Sequence, residues 1–230
     1  MQFTSACGNH LLMLTRLLLL GILCLAVSSE AAVLLSTSST WRFLRGTGEA
    51  SQPDITAWRN ASFNDSSFVN APAPFWYGDT RTGGIQLNDM LNSYTCIFLR
   101  QTISVANASQ IGGLRLNYYI DDGFVMWING TEVFRENVGG DPTYTTLAAN
   151  QSSDPAPLTS VTIFPAPGVL LEGDNIVIVQ GFNTTSGSSD FGFDCSIESI
   201  IRETVPPTIV SFTPAAGART EFFFSSIFVS

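Results

Sequence analysis

The sequence predicts an all-β chain folded as a two-sheet antiparallel β-sandwich of the jelly-roll kind. From Trp41 onward no stretch keeps a 3.6-residue apolar period for three turns, so helices have no pattern to form on. Runs rich in Ile, Val, Phe and Tyr alternate instead with clusters of Gly, Asn, Asp and Pro. One of those clusters is Asn129-Gly130, set between two β-rich runs, and both residues tolerate the positive φ of a type I′ hairpin. About eight strands over about 160 residues is the size of a two-sheet sandwich.

Trp41-Arg-Phe-Leu-Arg45 opens the series, and a Pro/Asn/Gly-rich passage from residue 60 to residue 84 reads as irregular. Two strands are expected at 95–105 and 114–120. Asp121-Asp122-Gly123 then turns the chain into Phe124-Val-Met-Trp-Ile128, and Asn129-Gly130 turns it again into Thr131-Glu-Val-Phe134. Residues 138–160 form a long polar loop, followed by strands at 161–164, 176–179 and 191–197. Ile176 to Val179 is apolar on both faces, which suits a central strand covered on both sides. The last strand alternates and suits a half-exposed position.

Both ends read differently. Arg16, the apolar run from Leu17 to Val27 and small residues up to Ala31 predict a secretory signal peptide over residues 1–31, cut after Ala31 or Ser28. An apolar run of about eleven residues falls short of a membrane span, a retained N-terminal anchor or a buried core helix being the alternative reading. The sandwich is expected over residues 40–203. At Val205-Pro206-Pro207 the composition breaks, and residues 204–230 read as a linker and a truncated module start.

Composition excludes much chemistry. The chain has 10 Lys plus Arg, every one an arginine, against 19 Asp plus Glu, and its one histidine, His10, lies in the leader. The exported protein therefore has no Ser-His-Asp or Cys-His nucleophile system, no histidine-held zinc and no lysine Schiff base. An isoelectric point near 4.4 argues against nucleic acid or an anionic membrane surface as partner. Cys96 and Cys195 remain after export, an even number in an oxidising compartment. A disulfide between them would close a loop of about 100 residues, worth up to roughly 4 to 5 kcal/mol. Their parities disagree, since Cys195 alternates with Phe193 and Ile197 whereas Cys96 is out of phase with Ile97 and Leu99, so two buried thiols are the alternative.

An ordered series of segments resembles a known family. Trp58-Arg59, Phe63 to Phe68, Ala73-Pro-Phe-Trp-Tyr-Gly-Asp79, Phe98-Leu-Arg100, Ile120 to Asn137, Leu171 to Val179 and Ser189 to Asp194 follow one another as in galactose-binding-like jelly-roll domains of secreted modular bacterial proteins. In this chain Trp76 stands where such domains often carry a small residue, and Phe68 where Trp is usual. Thr208-Ile-Val-Ser-Phe212 before Pro214-Ala-Ala-Gly217 looks like the first strand of a bacterial immunoglobulin-like domain. The resemblance implies a module that binds carbohydrate, adheres, or serves as a spacer.

Within that frame, Asp121-Asp122 is the sharpest polar cluster. Adjacent carboxylates can hold a hard cation such as calcium, which takes six to eight oxygens and can then accept sugar hydroxyls. The motif is similar to the Asp-Asp-Gly turn of PA14-type domains, some of them lectins; the competing reading is that a tight turn uses Asp and Gly anyway. Trp76 and Tyr77 beside Asp79 combine a flat apolar face with a carboxylate, as sugar sites do, or else plug the end of the core. Tyr144 in the long loop is a further candidate, whereas Trp58, Tyr118 and Trp127 are assigned to core packing. The remaining acids, Asp65, Asp89, Glu172 and Asp190 among them, read as scattered turn residues and suggest no hydrolytic pair. The six Asn-x-Ser/Thr sites read as unglycosylated. The expectation is a non-catalytic carbohydrate-binding or adhesive module of a secreted or cell-surface multidomain protein. A ligand-free structural spacer is the alternative, with a calcium-dependent PA14-like lectin more remote. Expected partners are a polysaccharide or glycan and neighbouring domains, with no nucleic acid and no membrane insertion.

Overall fold

The computed structural model describes residues 31–202. The expected linker and module start at 204–230, and the leader apart from Ala31, lie outside the described residues. Twelve strands follow in order: β1 (Val33–Leu35), β2 (Thr40–Arg45), β3 (Val69–Pro72), β4 (Phe75–Tyr77), β5 (Ile85–Gln86), β6 (Cys96–Val105), β7 (Ile111–Asp121), β8 (Gly123–Ile128), β9 (Thr131–Glu136), β10 (Thr159–Ile163), β11 (Gly173–Phe182) and β12 (Phe191–Ile201).

The strands make two sheets, so the all-β sandwich the sequence predicts is what forms. The first sheet runs β10-β7-β12-β4-β5 with β1 also on β12, and the second runs β3-β2-β6-β11-β8-β9. Pairing is antiparallel throughout except for the short parallel β4/β5 pair. Asn129 and Gly130 both adopt positive φ, at 51° and 86°, and close the β8/β9 hairpin as expected.

Three features differ from the sequence reading. The sandwich takes in Val33–Leu35, paired with β12, ahead of the expected start at residue 40. The Pro-rich passage is not irregular, since β3 and β4 lie within it, and β4 with β5 lines its backbone groups up on neighbours such as β12. Asp121-Asp122-Gly123 is not a hairpin, because β7 and β8 belong to different sheets. The chain crosses from one sheet to the other there.

The main core lies between the sheets and includes Trp41, Phe75, Leu99, Tyr118, Phe124 and Phe193. Tyr118 packs edge-on against Phe124 with centroids 4.9 Å apart. A second apolar layer covers the outer face of the second sheet, built on Phe98, Val125, Trp127 and Ile178 and closed by Trp58 and Phe68. Two arginines pin this cover. Arg100, 2% exposed, donates through Nε to Asp65 at 3.0 Å and through Nη1 to the carbonyls of Trp58 and Asn60. Arg59 reaches Asp141 at 2.7 Å and lies over the Trp127 ring at 4.5 Å. Trp58, Tyr118 and Trp127 are core residues, as expected, although Trp58 and Trp127 belong to this outer layer.

The disulfide does not form. Cys96 faces the outer layer and Cys195 the core between the sheets, and both are free and buried. Burial pushes the Cys96 thiol up to about 12 and Cys195 well above the usual thiol range. Of the asparagines in glycosylation sequons, Asn60, Asn64, Asn107 and Asn150 are exposed, while Asn183 is buried and Asn129 is engaged in its turn.

Candidate functional site

The expected site residues are spread over one end of the sandwich and one face of the first sheet. On β7, alternation sends Tyr118 and Ile120 into the core and Tyr119 and Asp121 to the outer face. Gly192 of β12 stands in register with Asp121 on one side and Trp76 of β4 on the other. A side chain at Gly192 has no room, since a Cβ there would lie 2.9 Å from the Tyr119 ring. Arg81 stacks over that ring at 3.9 Å and pairs with Asp79 at 2.6 Å. Trp76 is partly buried and donates its indole N–H to the Gly83 carbonyl at 2.9 Å. Tyr77, only 4% exposed, points into the core and donates its hydroxyl to the Ser188 carbonyl, so it is a packing residue and not a sugar platform.

Asp121 and Asp122 are both buried, yet their surroundings differ. Asp122 accepts the Ser152 N–H on Oδ1 at 2.8 Å and both the N–H and the hydroxyl of Thr184 on Oδ2 at 2.8 and 2.9 Å. Its carbonyl accepts from Asn137 and Ser152. Asp121 is 6% exposed, and its carboxylate receives no hydrogen bond from any donor among the described residues. It faces Asp122 and also Asp190, and lies within hydrogen-bonding reach of both. Burial first, then these two carboxylates, push the Asp121 carboxyl up to about 8.

The three acids line a cavity of about 150 Å³ together with Asp154, Gln151 and Ser189. No arginine lines it. A cavity of about 390 Å³ shares Asp122, Gln151 and Ser152 with it and adds Glu136, Asn137 and Asn150. Asp190 does not stand among scattered turn acids, as its position before β12 suggested, but is carried against Asp121 by the β12/β7 register. The signal was present in the sequence, because Asp190, Gly192 and Asp194 share the parity of the outer face. Gln151, Ser152 and Thr184 carried no such signal, being loop residues brought in by long-range contacts.

No family model matches the sequence, and no curated protein sequence matches it. Solved structures do. A calcium-binding mutant of Bacteroides uniformis beta-glucuronidase 2 aligns at TM-score 0.45 and 13% identity over 75% of this chain. An uncultured Clostridium sp. beta-glucuronidase aligns at 0.44 and 13% over 74%, and the Ruminococcus gnavus beta-glucuronidase at 0.43 and 12% over 74%. This chain spans 18% of the first of those chains and 29% of the other two. At such identities the site has to be read from this chain's own geometry.

Among the described residues no group of three or more His, Cys, Asp or Glu is placed to hold a metal ion by itself. The small cavity is lined by carboxylates, serine hydroxyls and the Gln151 side chain, with no positive side chain among them.

Tyr144 lies apart from this cavity. It is 37% exposed and lines a groove with Thr145, Leu147, Thr185 and Ser186. Thr184, which bonds to Asp122, immediately precedes the two loop residues that line that groove.

Proposed function

We propose that the chain is a non-catalytic carbohydrate-binding or adhesive module of a secreted multidomain protein, and that its glycan binds at the acidic cavity through calcium. One observation carries the reading: Asp121, largely buried in the wall of the acidic cavity, accepts no hydrogen bond from a described donor and confronts two further carboxylates. A group so placed either takes a proton or calls for a cation. On this proposal Asp121 and Asp190, the Gln151 and Ser189 side chains and the ligand's own hydroxyls would together supply the oxygens calcium takes.

Hydrolysis fits this arrangement less well. A glycosidase pair stands at least about 5 Å apart so that sugar or water fits between. Here Asp121 is within hydrogen-bonding reach of both neighbours, which suits a shared proton or ion.

A glycan array probed with the exported chain, in calcium and in EDTA, tests the proposal. Binding in calcium, lost in EDTA and lost in Asp121→Asn, is the expected result. Absence of binding in both conditions would leave the ligand-free spacer as the function.

A further inference from the structure

We infer that the groove at Tyr144 is a second glycan subsite, for an uncharged sugar unit, so that the module reads a stretch of neutral polysaccharide and not a single sugar; this rests on the carbohydrate-binding reading above. The groove has a volume of about 430 Å³, within the range of small-ligand sites. Four separate stretches of chain build it: the turn after β2, the lead into β6, the long loop after β9 and the loop after β11.

Its chemistry is specific. No charged side chain lines it. Five of its hydroxyls, on Thr47, Ser93, Thr95, Thr185 and Ser186, make no side-chain hydrogen bond to any described residue, although the structure elsewhere ties up hydroxyls such as those of Thr184 and Ser152. Apolar surface stands beside them, with Tyr144 37% and Leu147 44% exposed. Free hydroxyls next to an exposed aromatic face match a sugar ring, which offers hydroxyls around its rim and C–H groups on its face. The one carboxylate against the groove, Glu49, is turned to the Tyr144 N–H at 3.3 Å, and no positive side chain lines the walls, so an anionic group finds no counter-charge there and a neutral unit is favoured.

The groove and the acidic cavity are joined by one loop. Thr184 is fixed to Asp122 by two hydrogen bonds, and Thr185 and Ser186 follow it directly into the groove wall. A polymer held at the acidic cavity therefore has a wall of the groove within the next residues of the same loop. Tyr144 itself is held from behind, because its carbonyl accepts the Cys96 thiol at 3.4 Å, so its ring is presented without being part of the core.

Affinity electrophoresis of the exported chain in calcium-containing buffer tests this, using gels that contain barley β-glucan, xyloglucan or galactomannan, with alginate and polygalacturonate as acidic polymers. The expected result is retardation by at least one neutral polymer, weakened about tenfold in Tyr144→Ala and retained in Tyr144→Phe. Asp121→Asn in the same gels reports on the acidic cavity separately. Retardation by a neutral polymer that Tyr144→Ala leaves unchanged while Asp121→Asn abolishes it overturns the subsite and leaves the proposed function standing. Retardation by the acidic polymers alone also overturns the subsite. No retardation by any of the five polymers counts against both. An unchanged melting temperature for Tyr144→Ala shows that a lost interaction is not lost folding.

Discussion

Asp122 and Thr184 are joined by two hydrogen bonds, from the backbone N–H and from the hydroxyl, both to the same carboxylate oxygen. Asp122 sits at the crossing between sheets and Thr184 just after β11, so this contact fastens the crossing to the loop that leads into β12. Its neighbour Asp121, one residue away, has no such support. Two adjacent aspartates thus stand in opposite surroundings, one held by hydrogen-bond donors and the other facing two further carboxylates.

Replacing Asp122 by alanine leaves the N–H groups of Ser152 and Thr184 without acceptors in a buried place. The expected cost is about 3 kcal/mol, read as a lower urea midpoint with unchanged slope. A loss below about 0.5 kcal/mol would show that the corner does not depend on this carboxylate.

Asp121 sets a pH dependence of opposite kind. Burial and the facing carboxylates push its folded-state carboxyl from 3.8 up to about 8, so between those two values the folded chain holds a proton that the unfolded chain has released. Stability is therefore fullest below about pH 4 for this group, falls as the pH rises and levels off above about pH 8. Asp121→Asn should be more stable than the natural chain at pH 8 and should flatten the slope between pH 5 and pH 8 in thermal melts. Calcium should raise the melting temperature of the natural chain at pH 8 and leave that of Asp121→Asn unmoved.

Arg100 holds the cover of the second sheet by reaching from β6 to Asp65 and to two backbone carbonyls. Arg100→Met keeps the stem packed but removes every donor, and about 3 kcal/mol should be lost. Hydrogen exchange should localise the change to residues 57–68, with the core between the sheets still protected. Uniform loss of protection would contradict the separate outer layer.

Because Cys96 and Cys195 face different layers, reductant should not move the melting temperature. A thiol reagent should find both groups only after unfolding, at two per chain once the leader is gone. A mass consistent with an intramolecular bond in the exported protein would contradict the face assignment.

The long strands were legible because their alternation is a local property, and β6, β8 and β11 fall within a few residues of where it places them. β3, β4 and β5 were not, since prolines obscure the pattern and β4 finds its partners far along the chain, at Phe191 and Phe193. Asp121-Asp122-Gly123 carries turn chemistry, but composition alone does not distinguish a hairpin from a crossing between sheets. For the site, the sequence pointed at Asp121 and Asp122 and at Tyr144 as separate candidates. What joins them is the loop after β11, through residues such as Thr184 that look like any other polar loop residue. Tyr77 was misplaced by parity, since it alternates with Phe75 on the core side of β4.

The apolar layer under Trp58 and Trp127 gives the sandwich a back and a front. Its second sheet is upholstered by loop, so a polymer or a neighbouring domain meets there only the outside of that cover. The first sheet keeps its outer face for Trp76, Tyr119 and the acids of β7 and β12, and the end where the sheets meet holds the two cavities and the groove. The two faces of the sandwich are therefore chemically unlike: one is sealed by loop and the other leaves polar and aromatic side chains on the strands themselves.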